Sequence, residues 1–318
     1  DVRVLTVRAE AGDAVAHSTP ASQGGQENTY ATTDVVITGN VFNSGDDIIR
    51  AAQGNDKITG DIETLNIEGY QGNATATIAD GCSDPSAYAS ANVMIINNNF
   101  EMGDDEINGG SGNDQLIGDI ETIAIKYQNG IMTSNHTNGV VNDNDNWFSG
   151  NVFTFGNDTL DGGGVLPGDT SNDTLTGDLR FVEIEVDGVM VTYDLSNADS
   201  YNDFMLAIGD PNSTLHGNWF NFGSDTFVFN IPNFGNDRIT DLGIGGVTDT
   251  LRFDGMVDQN GDNVVNLADL SLISQVSATG SNNHVMVTFN NGNTLELMNI
   301  SFVNGQLELE DYITGNHF

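Results

Sequence analysis

Three widely separated stretches of the chain alternate apolar and polar residues with a period of two. Leu65 and Ile67 flank Asn66, Ile123 and Ile125 flank Ala124, and Val182, Ile184 and Val186 are spaced by Glu183 and Glu185. Such spacing places every second side chain on one face and predicts half-buried strands. No sustained helical stripe is visible, and a short helix is expected only near Leu267 to Ile273. The class predicted is therefore all-β.

The alternating strands are the ends of a long repeat. Gly45-Asp46-Asp47, then Gly54-Asn55-Asp56-Lys57-Ile58-Thr59-Gly60-Asp61-Ile62-Glu63-Thr64-Leu65, returns 58 positions later as Gly103-Asp104-Asp105 and Gly112-Asn113-Asp114-Gln115-Leu116-Ile117-Gly118-Asp119-Ile120-Glu121-Thr122-Ile123. A third copy passes through Phe148, Asn151, Phe153, Gly156-Asn157-Asp158 and Asn172-Asp173 to Gly177-Asp178-Leu179. A fourth passes through Leu215, Asn218, Phe220, Gly223-Ser224-Asp225 and Gly235-Asn236-Asp237 to Thr240-Asp241-Leu242. Each copy reads strand, acidic glycine turn, short strand, acidic glycine turn, strand. One unit cannot bury its apolar face alone, whereas stacked units can, which predicts a parallel β-solenoid of four long quasi-repeats.

The expected division is 1–33 as an N-terminal strand and linker, 34–222 as a solenoid of three quasi-repeats, and 223–318 as a C-terminal module. The strand from Asp1 to Arg8 is expected to cover the first coil or to be donated to a neighbouring molecule. Residues 9–33 read as loop. The inserts 69–91, 127–145 and 187–211 are the least patterned parts.

Charge changes the picture. Across 318 residues, 8 Lys+Arg stand against 46 Asp+Glu, a formal charge of −38. That excludes nucleic acid and anionic membrane surfaces as partners, because both require clustered basic residues. It also creates self-repulsion that a compact fold has to relieve by recruiting cations. The single Cys82 precludes an internal disulfide, and no apolar run reaches the ~18 residues of a membrane-spanning helix. The chain begins at Asp1, with no basic segment leading into an apolar one, so it reads as processed or as a piece of a longer protein.

The acidic turns supply the chemistry. Gly109-Gly110-Ser111-Gly112-Asn113-Asp114-Gln115-Leu116-Ile117 fits the glycine-rich nonapeptide G-G-x-G-x-D-x-U-x, and residues 51–59 fit it with Ala51 and Ala52 in place of the first two glycines. Calcium takes six to eight oxygens at about 2.3–2.6 Å. Glycines let carbonyls converge, Asp adds charge, and the apolar residue enters the core. On these motifs the chain resembles the repeats-in-toxin (RTX) family of hemolysin-type calcium-binding proteins. The resemblance implies a parallel β-roll with Ca²⁺ between stacked turns, and carboxylate ligands at Asp47, Asp56, Asp105, Asp114, Asp158, Asp173, Asp225 and Asp237. Unlike the long arrays of that family, each block here has about two nonapeptides before an insert. Equivalent turns of successive repeats are therefore expected to stack, with Asp47 facing Asp105 and Asp56 facing Asp114 across an ion.

A second signature lies at Asp258-Gln259-Asn260-Gly261-Asp262-Asn263-Val264-Val265-Asn266-Leu267-Ala268-Asp269. It resembles a dockerin-type EF-hand calcium loop, which implies ligands at Asp258, Asn260, Asp262, the Val264 carbonyl, Asn266 and Asp269. The segments 225–229, 234–241, 291–297 and 309–313 resemble a terminal RTX module, which implies an uncleaved type I secretion signal and an extracellular or cell-surface location.

No catalytic constellation emerges. The histidines are scattered, and H-E-x-x-H, G-x-S-x-G and a phosphate loop are absent. Carboxylate pairs among 46 acids carry no weight. Trp147, Phe148, Trp219 and Phe220 are expected in the core. The expected function is a secreted, calcium-gated structural protein that self-associates as a layer, matrix or filament. The alternatives are the calcium-binding C-terminal part of a larger RTX adhesin or hydrolase, and a module binding glycans (a cell-surface polysaccharide) or ice.

Overall fold

The structure is a computed structural model and describes residues 2–12, 14–17, 28–71, 73–77, 86–129, 132–134, 146–163, 171–211, 213, 215–230, 234–255, 275–279, 284–289 and 292–298. It is all-β with one α-helix and one short 3₁₀ turn among these residues.

Each repeat is one coil. The first runs through Asn28–Thr38, Val41–Asn43, Ile48–Arg50, Lys57–Thr59 and Ile62–Tyr70. The second runs through Ser86–Ile96, Asn99–Glu101, Glu106–Asn108, Gln115–Ile117 and Ile120–Gln128. The third has Asn146–Ser149, Val152–Thr154, Thr159–Asp161, Thr174–Thr176 and Leu179–Val186. The fourth has Trp219–Asn221, Thr226–Asn230 and Asn236–Ile239. Every strand pairs in parallel with its equivalent one coil away, so Phe42, Phe100, Phe153 and Phe220 fall in one row. The stack continues through residue 223 without a break, since Thr226–Asn230 pairs with Thr159–Asp161. It is closed by the parallel strands Thr250–Asp254 and Thr294–Leu297 and by antiparallel hairpin strands.

The strand Val2–Glu10 lies parallel on Ile62–Tyr70, where a preceding coil would place it. Residues 9–33 hold more than the loop expected there: Ala14–His17 and Asn28–Thr38 pair in parallel with Ala74–Thr77 and Ser86–Ile96. Their Ala- and Thr-rich composition lacks the strong apolar alternation that marks the other strands. The helix Ala198–Gly209 was not expected either. Asn197 caps it by accepting from the Asp199 and Ser200 amides, and Phe204 packs edge-on against Phe220 at 5.0 Å. Exposed Met205 and Leu206 interrupt the stripe that Tyr201, Phe204 and Ile208 would otherwise show. The segment near Leu267 to Ile273 lies outside the described residues.

The tryptophans require a correction. Trp147 and Trp219 are 51% and 57% exposed, while Phe148 and Phe153 are buried. Adjacent residues of a strand face opposite ways, so in Trp147-Phe148 and Trp219-Phe220 one ring of each pair has to point outward. Phe100, Phe153 and Phe220 stack face to face at 4.9 and 4.8 Å.

Two apolar clusters fill the coils. One lies between the long sheet built on Ile62–Tyr70 and the strands carrying Val35, Ile95 and Phe153; the other includes Ile107, Leu116, Leu160, Leu175 and Phe227. A ladder of asparagines locks one corner. Asn98 Oδ1 accepts from both the amide and the carboxamide of Asn40, Asn151 Oδ1 accepts likewise from Asn98, and Asn218 Oδ1 from Asn151. The remaining carboxamide hydrogens reach backbone carbonyls, Asn98 to Ile37 and Asn151 to Ile95. Asn151→Ala orphans two buried donors of Asn98 and is expected to cost about 1–3 kcal/mol, read as a lower urea midpoint with an unchanged slope. Asn221→Ala, on the exposed side of the same sheet, is expected to leave the midpoint unchanged.

Candidate metal centre

Three corners of the coil carry aspartates, and stacking turns each into a row. At the first corner Asp105 Oδ1 accepts the Asp47 amide at 2.7 Å, Asp158 Oδ1 the Asp105 amide at 2.7 Å, Asp225 Oδ1 the Asp158 amide at 2.8 Å, and Asp249 Oδ1 the Asp225 amide at 2.9 Å. At the second, Asp114, Asp173 and Asp237 accept the amides of Asp56, Asp114 and Asp173 at 2.8, 2.8 and 3.0 Å. The third holds Asp61, Asp119, Asp178 and Asp241. Here Asp61 accepts the Gly103 amide, Asp119 the Gly156 amide and Asp178 the Gly223 amide, at 3.0, 2.9 and 2.7 Å.

These last bonds join the third corner to the first across the coil. Gly60, Gly118 and Gly177 make the approach possible. A Cβ on Gly60 would collide with the Asp105 carboxylate and the Gly118 carbonyl; on Gly118, with the Asp158 carboxylate and the Gly177 carbonyl; on Gly177, with the Asp225 carboxylate. Glycine serves here as room for a charged group. At Gly110, by contrast, φ is +86° and a Cβ would strike Ala52 O of the coil before. Among the described residues no coil precedes Ala52, which is why alanine fits at the matching place in the first copy.

Carboxylate oxygens converge in two clusters. Those of Asp47, Asp61 and Asp105 lie within 4.8 Å of one another, as do those of Asp178, Asp225 and Asp241. All but Asp47 are buried. Either triad could hold a metal ion, and its all-oxygen, anionic donor set suits a hard cation. Orphaned oxygens agree with this fit in the first triad, where Asp61 Oδ1 and Asp105 Oδ2 are buried without a hydrogen-bond partner; outside the triads Asp119 Oδ1 and Asp158 Oδ2 are orphaned as well.

No lysine or arginine balances the charge. Arg3, Arg8, Arg50, Lys57, Lys126 and Arg238 pair with glutamates at the surface, Arg252 pairs with Asp254, and Arg180 lies over the Phe181 ring. These eight are all the Lys and Arg of the chain. Burial, reinforced by the neighbouring carboxylates, accordingly raises the aspartates: Asp105 to about 7, Asp241 to about 7 and Asp249, by burial alone, to about 6. Asp119, Asp158, Asp178 and Asp225 are driven well above the ordinary carboxylate range for the same reasons.

The rest of the fold shows that hydrogen bonding alone does not require this charge. One residue upstream of the first row, the exposed positions Asp46, Asp104, Asn157 and Ser224 form an equivalent ladder, in which Asp104, Asn157 and Ser224 donate their amides to Asp46, Asp104 and Asn157. That outer position accepts Asp, Asn or Ser. The inner one is Asp in all four copies, and so is the third corner. What the repeats keep at the inner positions is negative charge.

Of the residues expected as ligands, Asp47, Asp105 and Asp225 enter the triads. Asp158 belongs to the same row. Asp56, Asp114, Asp173 and Asp237 form the second row, and the expected stacking of Asp47 with Asp105 and Asp56 with Asp114 is present as direct amide-to-carboxylate bonds. Residues 258–269, with the whole EF-hand-like loop, lie outside the described residues. Asp61, Asp178 and Asp241 were missed. Their signal is the repeated Gly-Asp or Thr-Asp ahead of each long strand or Leu242, a pair that reads locally as a turn.

The raised aspartates fix the sign of a pH effect in the metal-free protein. The folded state holds protons that the unfolded chain, with carboxyls near 3.8, has already released. The stabilisation is complete below about pH 3.8 and is lost as pH rises through about 7. In chelator, the urea midpoint is expected to fall between pH 5 and pH 8, and saturating divalent cation is expected to abolish that fall. No protein-family model, no curated protein and no solved structure matches this chain.

Proposed function

We propose that this protein is a secreted calcium-binding structural protein, which folds as it takes up ions outside the cell and assembles with copies of itself into a layer, matrix or filament. One observation carries the reading: two aspartate triads, buried but for Asp47 and without a Lys or Arg partner, in a chain of net charge −38. Calcium is favoured over magnesium because magnesium sheds its water shell reluctantly and is seldom held by all-protein cages, whereas Asp178, Asp225 and Asp241 are all buried. In the triads Asp47, Asp61 and Asp105, or Asp178, Asp225 and Asp241, would hold the ion and position their carboxylates about it. The ion supplies the positive charge that the protein lacks. At low cytosolic calcium the same repulsion would keep the chain extended, which suits type I export. No catalytic role is proposed.

Self-association is supported by the open start of the stack. Among the described residues, no strand precedes Val41–Asn43, Ile48–Arg50 or Lys57–Thr59 in their sheets. Val41 and Ile48 are 72% and 64% exposed, and an open depression of about 500 Å³ lies there, lined by Arg3, Ile49, Lys57, Ile58 and Asp61. Unpaired edges of this kind recruit further strands. A second reading, contact with a cell-surface polysaccharide, is favoured by the outward-facing Trp147 and Trp219.

Asp105→Asn tests the calcium reading. It preserves the acceptor for the Asp47 amide and removes one charge. In chelator the variant is expected to melt above the wild type. In millimolar calcium it is expected to melt below, because ligand at 100 times its Kd adds about 2.7 kcal/mol to the loaded form. Melting curves that keep the same order in both conditions would exclude a cation at the triad. Electron microscopy after calcium addition tests assembly, with ordered sheets or fibres expected. Monodisperse particles would instead favour the calcium-binding part of a larger adhesin or hydrolase.

A further inference from the structure

We propose that copies of this chain join head to tail, with the strand Val189–Asp194 and the helix Ala198–Gly209 of one copy (its tail) seated on the open first coil of the next (its head). The inference rests on the self-association reading above and supplies the second half of its interface. The long sheet runs in the order Val2–Glu10, Ile62–Tyr70, Ile120–Gln128, Leu179–Val186, Val189–Asp194, so its two edge strands lie at opposite ends of the stack. The last strand runs antiparallel to its neighbour and ends the parallel repeat in this sheet.

Both ends expose large apolar side chains. The head shows Val41 and Ile48, and the tail shows Val189, Met190, Val191, Met205 and Leu206. Along the tail strand Val189 and Val191 share a face with Tyr193, whose ring meets Phe204 of the helix at 5.7 Å. The helix covers Tyr193 and leaves the two valines 70% and 48% open. It turns Tyr201, Phe204 and Ile208 to the core, while its exposed Met205 and Leu206 are left out of that contact. Strand and helix pack on each other, so these five side chains gather on one end of the molecule. Such a gathering exceeds the scattered single residues that are normal on a protein surface.

Charge decides what covers them. Arg3, Arg8, Arg50 and Lys57 all lie on the edge strands of the head, and they are half of the 8 Lys+Arg in the chain. Between Arg180 and Arg238 there is neither Lys nor Arg, and the tail exposes Asp187, Asp199, Asp203 and Asp210. Head against head would set cations opposite cations, and tail against tail would set acids opposite acids. Cations on an edge strand guard against that like pairing. Only head against tail brings opposite signs together. The side chains of Arg3 and Arg50 are 86% and 64% exposed, and their pairs with Glu63 and Glu106 are of the surface kind that contributes little. They can exchange partners at small cost. The depression lined by Arg3, Lys57, Ile49 and Ile58 offers both charge and apolar surface to the tail. Because the two surfaces differ, the contact does not close on a pair and repeats from copy to copy.

The test blocks one end at a time. Ile48→Asp with Arg50→Glu spoils the head, and Val189→Asp with Leu206→Asp spoils the tail; all four positions are exposed. Each variant, checked for a wild-type circular dichroism spectrum, is sedimented in millimolar calcium beside the wild type. The wild type is expected to form long assemblies, each variant alone to stay monomeric, and their equal mixture to give dimers and nothing larger. Either variant assembling alone, or a mixture that stays monomeric, overturns the head-to-tail contact while leaving self-association in place. A monomeric wild type overturns self-association along with it. Carbodiimide cross-linking of assembled wild-type protein, an equal mix of isotope-labelled and unlabelled copies, gives a readout that does not depend on the variants. Links between copies are expected to join Lys57 to acids of residues 187–210. Links from Lys57 only to acids of the first coil overturn the proposal.

Discussion

Every coil of this protein is tied to the one before it by the same small bond, a backbone N–H donated to a carboxylate or carboxamide oxygen one repeat later in the chain. The sheets supply parallel pairing along the flat faces, but at corners the strands end and backbone groups would be left unpaired. Side-chain oxygens take over there. Asn serves at one corner and leaves no group unsatisfied. Asp serves at the inner acidic corners, where Asp61, Asp105, Asp119 and Asp158 each leave a buried oxygen without a hydrogen bond. Burial of an ionised carboxylate without a partner is among the costliest arrangements in a protein interior. The fold therefore carries an electrostatic deficit that lengthens in step with the stack.

That deficit sits where it divides the coil. The first and third acidic corners meet across the section, with the cluster around Ile107 and Leu160 on one side and the cluster around Ile67, Ile95 and Phe153 on the other. Neither apolar cluster spans the coil alone. Their relative placement depends on the line of carboxylates, on Gly60, Gly118 and Gly177 that admit them, and on whatever neutralises them. Protons can do so in acid, which is why the aspartates are raised. At neutral pH a metal ion at either triad could do it without discharging the carboxylates that hold it.

Much of this was legible in the residues. Four copies with the same order of turns and alternating strands fix a parallel stack and its register, because a slip of one residue would turn Ile67 and Ile125 out of the core. The first and second acidic rows were legible as well, through glycine-flanked Asp47 and Asp56 and their equivalents. The third row was in plain view as Gly60-Asp61 and Gly118-Asp119, yet nothing local separates it from an ordinary turn. Asp47 and Asp61 become neighbours only when the coil closes, and closure is a tertiary event. The tryptophans failed for a related reason. Recurrence of Trp beside Phe suggests core, but alternation admits only one of each pair. The helix Ala198–Gly209 stayed hidden because it buries a stripe no wider than Tyr201, Phe204 and Ile208.

A row of aspartates also alters how such a stack holds together. In a solenoid each repeat contacts only its neighbours, so stability is roughly a sum of coil terms and interface terms. Asp105 belongs to two interfaces at once: its Oδ1 is bonded to the first coil and its position is fixed by the amide it donates to Asp158 in the third. Neutralising one carboxylate lowers the repulsion felt by those of the adjacent coils, because Asp119 feels Asp61 on one side and Asp158, Asp178 and Asp225 on the other. The coils are thereby coupled through charge as well as through hydrogen bonds.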